Sequence, residues 1–302
     1  MWIFILVNLI KKNKTFLPIF YLQLLFNIFL EVLLIFFKYL VKRLPNLKFL
    51  NEYYANIKTL NGIYFGLLTI LPASIGFGQF ALVLNRYAAV KYPLSYKKIF
   101  SFKTLFFIYT FQILLLCPGI IMCAPYYATI RLNNQMNTVI IIFSQNKYIQ
   151  ILSIYNILVG LILALSSAIF GFMSWRILKK KKYSRNENSL EYKKQKKFLI
   201  FVIIQTVTDV LMYIANLFYL ILILFRLKSI VLMTSFIYYF AEDICFLTTP
   251  LALCITQRRI RSLFLEFYFG FIFQRKKNKR DNKNHIINRI RFSKEKFNRI
   301  HY

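Results

Sequence analysis

Long apolar runs divide this chain and set the strongest limit on its fold. A helix needs roughly 20 apolar residues to cross a hydrocarbon core about 30 Å thick, and six runs reach that length. A transmembrane barrel would instead show alternating strands of about ten residues. The pattern therefore predicts an all-helical membrane protein with spans at residues 16–37, 62–86, 102–126, 149–175, 198–225 and 230–256.

A seventh apolar segment, Met1 to Ile10, is shorter than the others. At about 1.5 Å per residue it covers only half of a bilayer. It has no basic region before it and no small-residue cleavage site after it, which argues against a signal peptide. It is either the inner half of a truncated first span or a short interfacial stub. We favour the first interpretation, so the expected fold is a bundle of seven transmembrane helices with a truncated first helix.

The distribution of positive charge predicts the topology. The chain has 41 lysines and arginines against 10 acidic residues, a formal net charge of +31. A soluble nucleic-acid-binding protein could carry this charge but not such apolar runs, so nucleic acid is excluded as a partner. Basic residues accumulate in cytosolic segments, and 32 of the 41 lie in alternate loops and the tail. The loop after Arg86, the loop 176–197 and the tail should therefore be cytosolic.

The residues that enzymes and metal sites require are missing from the predicted spans. Both histidines, His285 and His301, lie in the tail, so there are no histidine boxes. Phosphate-binding loops and the common hydrolase motifs are also absent. The four cysteines fall inside predicted spans and lack metal-ligand spacing. We therefore expect neither an enzyme nor a cofactor or metal site.

Four acidic residues lie within the predicted spans. An ionised carboxylate there costs at least about 2.5–3.5 kcal/mol, so each should face the bundle interior. Hydrogen bonding between helices would be sufficient to explain them. The alternative is a site for a ligand or a sodium-like ion that links Glu31 and Asp243. The four candidates are Glu31, Asp209, Glu242 and Asp243.

The tripeptide Asn85-Arg86-Tyr87 closes the run at 62–86, and Pro93 follows six residues after the tyrosine. Arginine is rare at the mouth of a span unless it faces other helices or water. It could also be one more positive-inside residue at a helix end. The stretch to Pro93 resembles the inner end of the third helix of G-protein-coupled receptors. The resemblance implies that Arg86, with Asn85 and Tyr87, holds the inner helix ends closed at rest and contacts a G protein on activation.

Further features extend the resemblance to nematode serpentine chemoreceptors, most of all class gamma. They are the basic segment 11–15, Glu31, and the stretch from Asp243 through Pro250 to Arg261. The resemblance implies a seven-helix receptor in the plasma membrane of sensory neurons. It also implies a small-molecule ligand and signalling through a heterotrimeric G protein. Asn85 stands where rhodopsin-like receptors have an acid that restrains the arginine, which could loosen the resting state.

Two lysine clusters flank the cytosolic loop 176–197, and we expect them to extend the fifth and sixth helices. Such clusters often serve only as topology anchors that contact anionic lipid. A G-protein contact surface is the compatible alternative. The residues are Lys179, Lys180, Lys181, Lys182, Lys193, Lys194, Lys196 and Lys197.

Three segments are expected along the chain. Residues 1–256 form the receptor domain, in which Pro125 and Pro250 could kink their spans or be merely architectural. Residues 257–273 repeat apolar side chains at helical spacing, which predicts an amphipathic helix on the inner leaflet. Residues 274–302 form a basic cytosolic tail, which we expect to be disordered. The alternative to a receptor is a non-signalling membrane protein, either a transporter or a remnant that has lost its first helix.

Overall fold

The computed structural model describes residues 18–40, 58–123, 128–133, 138–143, 146–184, 190–225, 248–249, 251–256, 261–262 and 264–266. Almost all of this part of the chain is helical. The longer helices are α1 (Pro18–Lys38), α2 (Lys58–Lys91), α6 (Asn146–Ser184) and α7 (Leu190–Leu224). The shorter ones are α3 (Tyr96–Ile99), α4 (Phe102–Leu114) and α5 (Cys117–Cys123).

Within the described part of the chain, five stretches of helix are long and apolar enough to cross a membrane, and they match five of the six predicted runs. The sixth run, 230–256, and the segment 1–10 fall largely or wholly outside the described residues. A multi-pass membrane protein is therefore confirmed, whereas seven spans remain a prediction. The five candidates are Ile19–Lys38, Gly62–Lys91, Phe102–Cys123, Gln150–Lys180 and Gln195–Phe218.

Helix α2 lies at the centre of the bundle and contacts α1, α4, α5, α6 and α7. It approaches α5 closely, at the point where Gly66 faces Gly119. A Cβ atom on Gly66 would collide with the carbonyl oxygen of Gly119, and one on Gly119 would collide with that of Gly66. Small residues let membrane helices approach to backbone contact in this way. The two glycines therefore set how tightly α5 packs on α2.

The fourth predicted span, 102–126, is broken rather than straight. A short turn separates α4 from α5. Pro118 explains the break, since it has no N–H to bond to the carbonyl of Leu114 and its ring crowds that carbonyl. The kinks expected at Pro125 and Pro250 lie outside the described residues, so they stay predictions. The sequence expectation missed Pro118.

A small β-hairpin is the one departure from an all-helical chain among the described residues. Strands β1 (Ala128–Asn133) and β2 (Thr138–Phe143) pair antiparallel, with Ala128 opposite Phe143. The hairpin lies between α5 and α6, in the segment that joins the predicted spans 102–126 and 149–175, and β1 also contacts α2. The sequence expectation had no strand in this loop.

The last predicted span and the tail helix are described only in part. Residues 251–256 are helical, and Ala252 and Leu253 are buried in a cluster that includes Phe20 of α1 and Phe198 of α7. Within the predicted amphipathic helix 257–273, the described residues 261–262 and 264–266 are also helical, and Phe264 packs against the same cluster. The division into 1–256, 257–273 and 274–302 remains a prediction.

Candidate functional site

Arg86 lies near the end of α2 and is only 5% exposed. Its guanidinium carbon is 3.6 Å from the centre of the Phe20 ring in α1 and 4.2 Å from that of the Phe198 ring in α7. The two rings also contact each other edge to face, with 5.2 Å between their centres. We call Arg86, Phe20 and Phe198 the arginine clamp, because it joins three helices through one cation.

The faces of two aromatic rings hold Arg86 in place, and part of its hydrogen-bonding capacity is unused. Among the residues that the structure describes, its Nε and Nη2 atoms have no hydrogen-bond partner. A desolvated cation over an aromatic ring gains about 2 kcal/mol, and a buried donor left unpaired costs about 1–3 kcal/mol. The two effects are similar in size. Arg86 is therefore held, but only weakly.

Asn85 faces α1 and the short helix α3. Its Oδ1 atom accepts a hydrogen bond of 2.8 Å from the Tyr96 hydroxyl, and its Nδ2 donates to Gln23 Oε1 at 3.4 Å. Burial raises the pKa of Tyr96 above its ordinary value of 10.0, which the positive charge of Arg86 and the bond to Asn85 partly offset. The hydroxyl thus stays protonated and can donate. Asn85 thereby ties the loop after α2 to the bundle.

Tyr87 points toward a third neighbour, α6. Its ring lies edge to face on Phe170 at 5.2 Å between centres. Its hydroxyl accepts a hydrogen bond of 2.7 Å from Lys91 Nζ. The three residues of the motif therefore reach different helices, so a movement of α1, α6 or α7 would disturb at least one of them.

A stripe of polar residues runs along α1. Gln23, Asn27 and Glu31 are spaced by four residues, which places them on one face of the helix, and all three are buried. Asn27 Oδ1 accepts a hydrogen bond from Gln112 Nε2 of α4 at 3.3 Å. A Cβ atom on Gly78 would collide with both of these amides. Glycine at that position therefore makes room for the contact between α1 and α4.

Glu31 is the centre of a second polar group. Its Oε1 atom accepts hydrogen bonds from Gln79 Nε2 at 3.2 Å and from Thr249 Oγ1 at 3.0 Å. Gln205 Nε2 donates to the same Thr249 oxygen at 2.8 Å. Asp209 follows one turn later on α7 and interacts electrostatically with Glu31. We call these five residues the carboxylate layer; it joins α1, α2, α7 and the last predicted span.

Not all predicted site residues can be placed. Glu242 and Asp243 lie outside the described residues, so a link between Glu31 and Asp243 stays a prediction. Helices α6 and α7 reach Ser184 and Leu190, which confirms that the lysine clusters extend these two helices. The side chains of four of the lysines are described, and all four are exposed: Lys179, Lys180, Lys196 and Lys197.

Sequence reasoning missed several residues that build these sites. The spacing of Gln23, Asn27 and Glu31 could have identified the polar face of α1, because polar residues at helical spacing stand out in an apolar run. The aromatic partners Phe20 and Phe198 carry no such signal. They are two of 33 phenylalanines and lie far apart in the chain.

The fold and the site define a helical multi-pass membrane protein with a receptor-type arginine motif buried between its helices. The sequence model of the family described as Srg family chemoreceptor matches residues 1–264. This match covers most of the chain, so the chain belongs to the Srg family, and the resemblance to serpentine receptors of class gamma is confirmed. Its family is one of chemosensory receptors of the G-protein-coupled receptor type. No curated protein matches the chain.

Proposed function

We propose that this chain is a seven-transmembrane receptor that binds a small molecule and activates a heterotrimeric G protein at the plasma membrane of a sensory neuron. The observation that carries the proposal is the arginine clamp, in which Arg86 lies between the rings of Phe20 and Phe198. A positive-inside residue would need only to reach the headgroups. Arg86 is buried between helices instead, where a movement of α7 would release it. Membership of the Srg family supports the receptor class.

The proposed mechanism is a two-state shift of α7 relative to α1 and α2. In the resting state Phe198 holds Arg86 from the α7 side. An agonist that binds the open form better shifts the population toward it. When α7 moves away, Nε and Nη2 of Arg86 reach water or acceptor groups of the G protein, so the cost of leaving them unpaired disappears. The lysines at the ends of α6 and α7 supply positive charge to the same docking surface and to anionic lipid.

The coupling experiment uses basal signalling, because the ligand is not identified. The full chain is expressed with a panel of Gα subunits, and G-protein dissociation is followed by resonance energy transfer. We expect signal above that of empty vector with at least one Gα. Arg86→Gln should abolish the signal at equal surface expression. Lys97→Gln, which removes an exposed charge on the same predicted side, should preserve it.

Two results would contradict the proposal. The first is the absence of coupling to every Gα by a chain that reaches the cell surface. The second is unchanged coupling in Arg86→Gln. Substrate flux without coupling would favour the alternative of a transporter.

The seven-span arrangement is part of the proposal and has its own test. It is supported by the last predicted span, where Thr249 bonds to Glu31 and Leu253 is buried against α1 and α7. Reporter tags before Met1, at Asn51 and after Tyr302 should report outside, outside and inside. An amino end inside the cell would mean six spans and would contradict the receptor topology.

We propose that the ligand or ion site involves the carboxylate layer, with Glu31 and Asp209 as its acids and Glu242 and Asp243 as further candidates. Gln205 supports this idea, because its Oε1 atom is buried and has no partner among the described residues. Glu31→Gln and Asp209→Asn remove charge with little change of shape. The basal signalling of the unmodified chain should change when sodium is replaced by N-methylglucamine. The basal signalling of these two variants should not. If both variants respond to sodium like the unmodified chain, the carboxylate layer serves only for hydrogen bonding between helices.

A further inference from the structure

A crevice between α6 and α7 lies apart from the arginine clamp and the carboxylate layer. Its volume is about 380 Å³. Phe172 and Val207 are more than half exposed at its edges, so the crevice opens sideways to the surface that lipid covers in a membrane. Gly171 forms part of its floor, where an added Cβ atom would meet nothing within 4 Å. The residues around it include Ser167, Gly171, Phe172, Trp175, Ile203 and Val207.

The walls of the crevice favour a hydrocarbon chain. The hydroxyl groups of Ser167 and Thr206 donate to carbonyls within their own helices, at 2.8 Å to Leu163 and 2.9 Å to Val202. Their donor capacity is thus already used. From Ser167 to Trp175 the crevice extends about 12 Å along α6 at ~1.5 Å per residue. That length approaches one leaflet of a hydrocarbon core about 30 Å thick.

Positive charge collects at one end of the crevice. The guanidinium of Arg176 lies 5.6 Å from the centre of the Phe172 ring, at the edge of the crevice. Lys179 follows Trp175 by one helical turn, and Lys196 precedes Ile203 by about two turns. All three cations are exposed. None of the described residues that line the crevice is acidic.

We propose that this crevice binds one anionic phospholipid of the inner leaflet. The acyl chain lies along the apolar floor, and the headgroup contacts Arg176, Lys179 and Lys196. The cytosolic leaflet is where anionic lipids are concentrated, and each nearby lysine or arginine attracts them. The assignment rests on the proposed topology, which makes this end cytosolic, and does not depend on G-protein coupling.

Charge also argues against the other occupants of such a crevice. A second copy of the chain docked in parallel would bring its own cations to the same end, where like charges repel. A sterol would fill the apolar floor but would leave the three cations without an anionic partner. A phospholipid with a negative headgroup covers the apolar floor with its acyl chain and places its negative charge beside the three cations.

The test is photolabelling of the purified full chain in phosphatidylcholine nanodiscs. The probe is phosphatidylserine with a diazirine in its acyl chain, and labelled peptides of α6 and α7 are quantified by mass spectrometry. Gly171→Leu places a side chain inside the crevice at a position where its Cβ atom meets nothing within 4 Å, and it should reduce labelling there to background. Leu165→Phe adds bulk to an exposed position of α6 that does not line the crevice, and it should label like the unmodified chain. The melting temperatures of both variants establish that they are folded.

A second pair of variants tests the cations at the end of the crevice. Arg176→Gln and Lys179→Gln should each lower labelling by phosphatidylserine about fivefold, while a phosphatidylcholine probe with the same diazirine should be unaffected. Labelling that survives Gly171→Leu, equal labelling by the two phospholipids, or stronger labelling by a diazirine sterol would each overturn the assignment. So would a covalent dimer of the chain formed through these peptides.

Discussion

The arginine clamp and the carboxylate layer both bury an ionisable side chain where α1, α2 and α7 meet, yet they hold it differently. Glu31 receives two hydrogen bonds on one carboxylate oxygen, from partners on α2 and the last predicted span. Arg86 is held by the faces of two rings, and two of its nitrogen atoms have no partner among the described residues. One group is anchored by directional bonds, and the other is merely enclosed.

The difference indicates which group can move. A hydrogen bond weakens steeply when its angle or length changes, so the carboxylate layer resists displacement of α7. A ring attracts a cation anywhere within about 6 Å of its centre, so the clamp tolerates small shifts and then releases. We therefore interpret the layer as a fixed point and the clamp as the part that opens.

The largest effect should come from removing the acceptor in the carboxylate layer. Glu31→Leu leaves the donors of Gln79 and Thr249 without their acceptor, at about 1–3 kcal/mol for each buried group. We expect the free energy of unfolding to fall by about 3 kcal/mol, measured by denaturant unfolding in detergent micelles. Glu31→Gln keeps an acceptor oxygen and should cost less than about 1 kcal/mol. Equal losses in the two variants would show that the hydrogen bonds do not matter.

A smaller effect is expected for the contact between Arg86 and Phe198. A double-mutant cycle with Arg86→Gln and Phe198→Leu should give a coupling energy of about 1–2 kcal/mol. The matched cycle pairs Arg86→Gln with Phe218→Leu, an exposed phenylalanine on the same helix. It should give a value near zero. Similar coupling energies in both cycles would show that the contact between Arg86 and the Phe198 ring contributes nothing specific.

Arg86→Gln by itself should hardly change stability. The substitution loses the attraction of two rings but also removes buried donors that have no described partner. These terms are of similar size, so we expect the free energy of unfolding to change by no more than about 1 kcal/mol. A loss as large as that of Glu31→Leu would mean that Arg86 is a structural anchor like Glu31.

The most local effect concerns the loop helix α3. Tyr96→Phe removes one hydrogen bond to Asn85, which contributes about 0.5–1.5 kcal/mol to stability. Hydrogen exchange of the α3 amides should speed up by a matching factor, while that of α6 stays unchanged. A uniform increase across the bundle would show that Tyr96 supports the whole fold and does not act locally.

Local sequence signals explain which parts of this molecule could be predicted. The length of the apolar runs was sufficient to predict five spans. The lysine clusters were sufficient to predict that α6 and α7 extend to these lysines. The burial of Glu31 followed from the cost of a carboxylate in lipid. Phe20 and Phe198 could not be identified, because their meeting depends on how distant helices pack. The break at Pro118 was readable in principle, since proline interrupts a helix by a local rule.

The most direct test of the central claim is the basal G-protein signal of Phe198→Ala compared with Phe218→Ala. If the ring of Phe198 keeps Arg86 in place at rest, its removal should raise the basal signal. Phe218→Ala removes an exposed ring from the same helix and should leave the signal unchanged. Equal signals from the two variants, at equal surface expression, would contradict the role of the arginine clamp as the resting restraint.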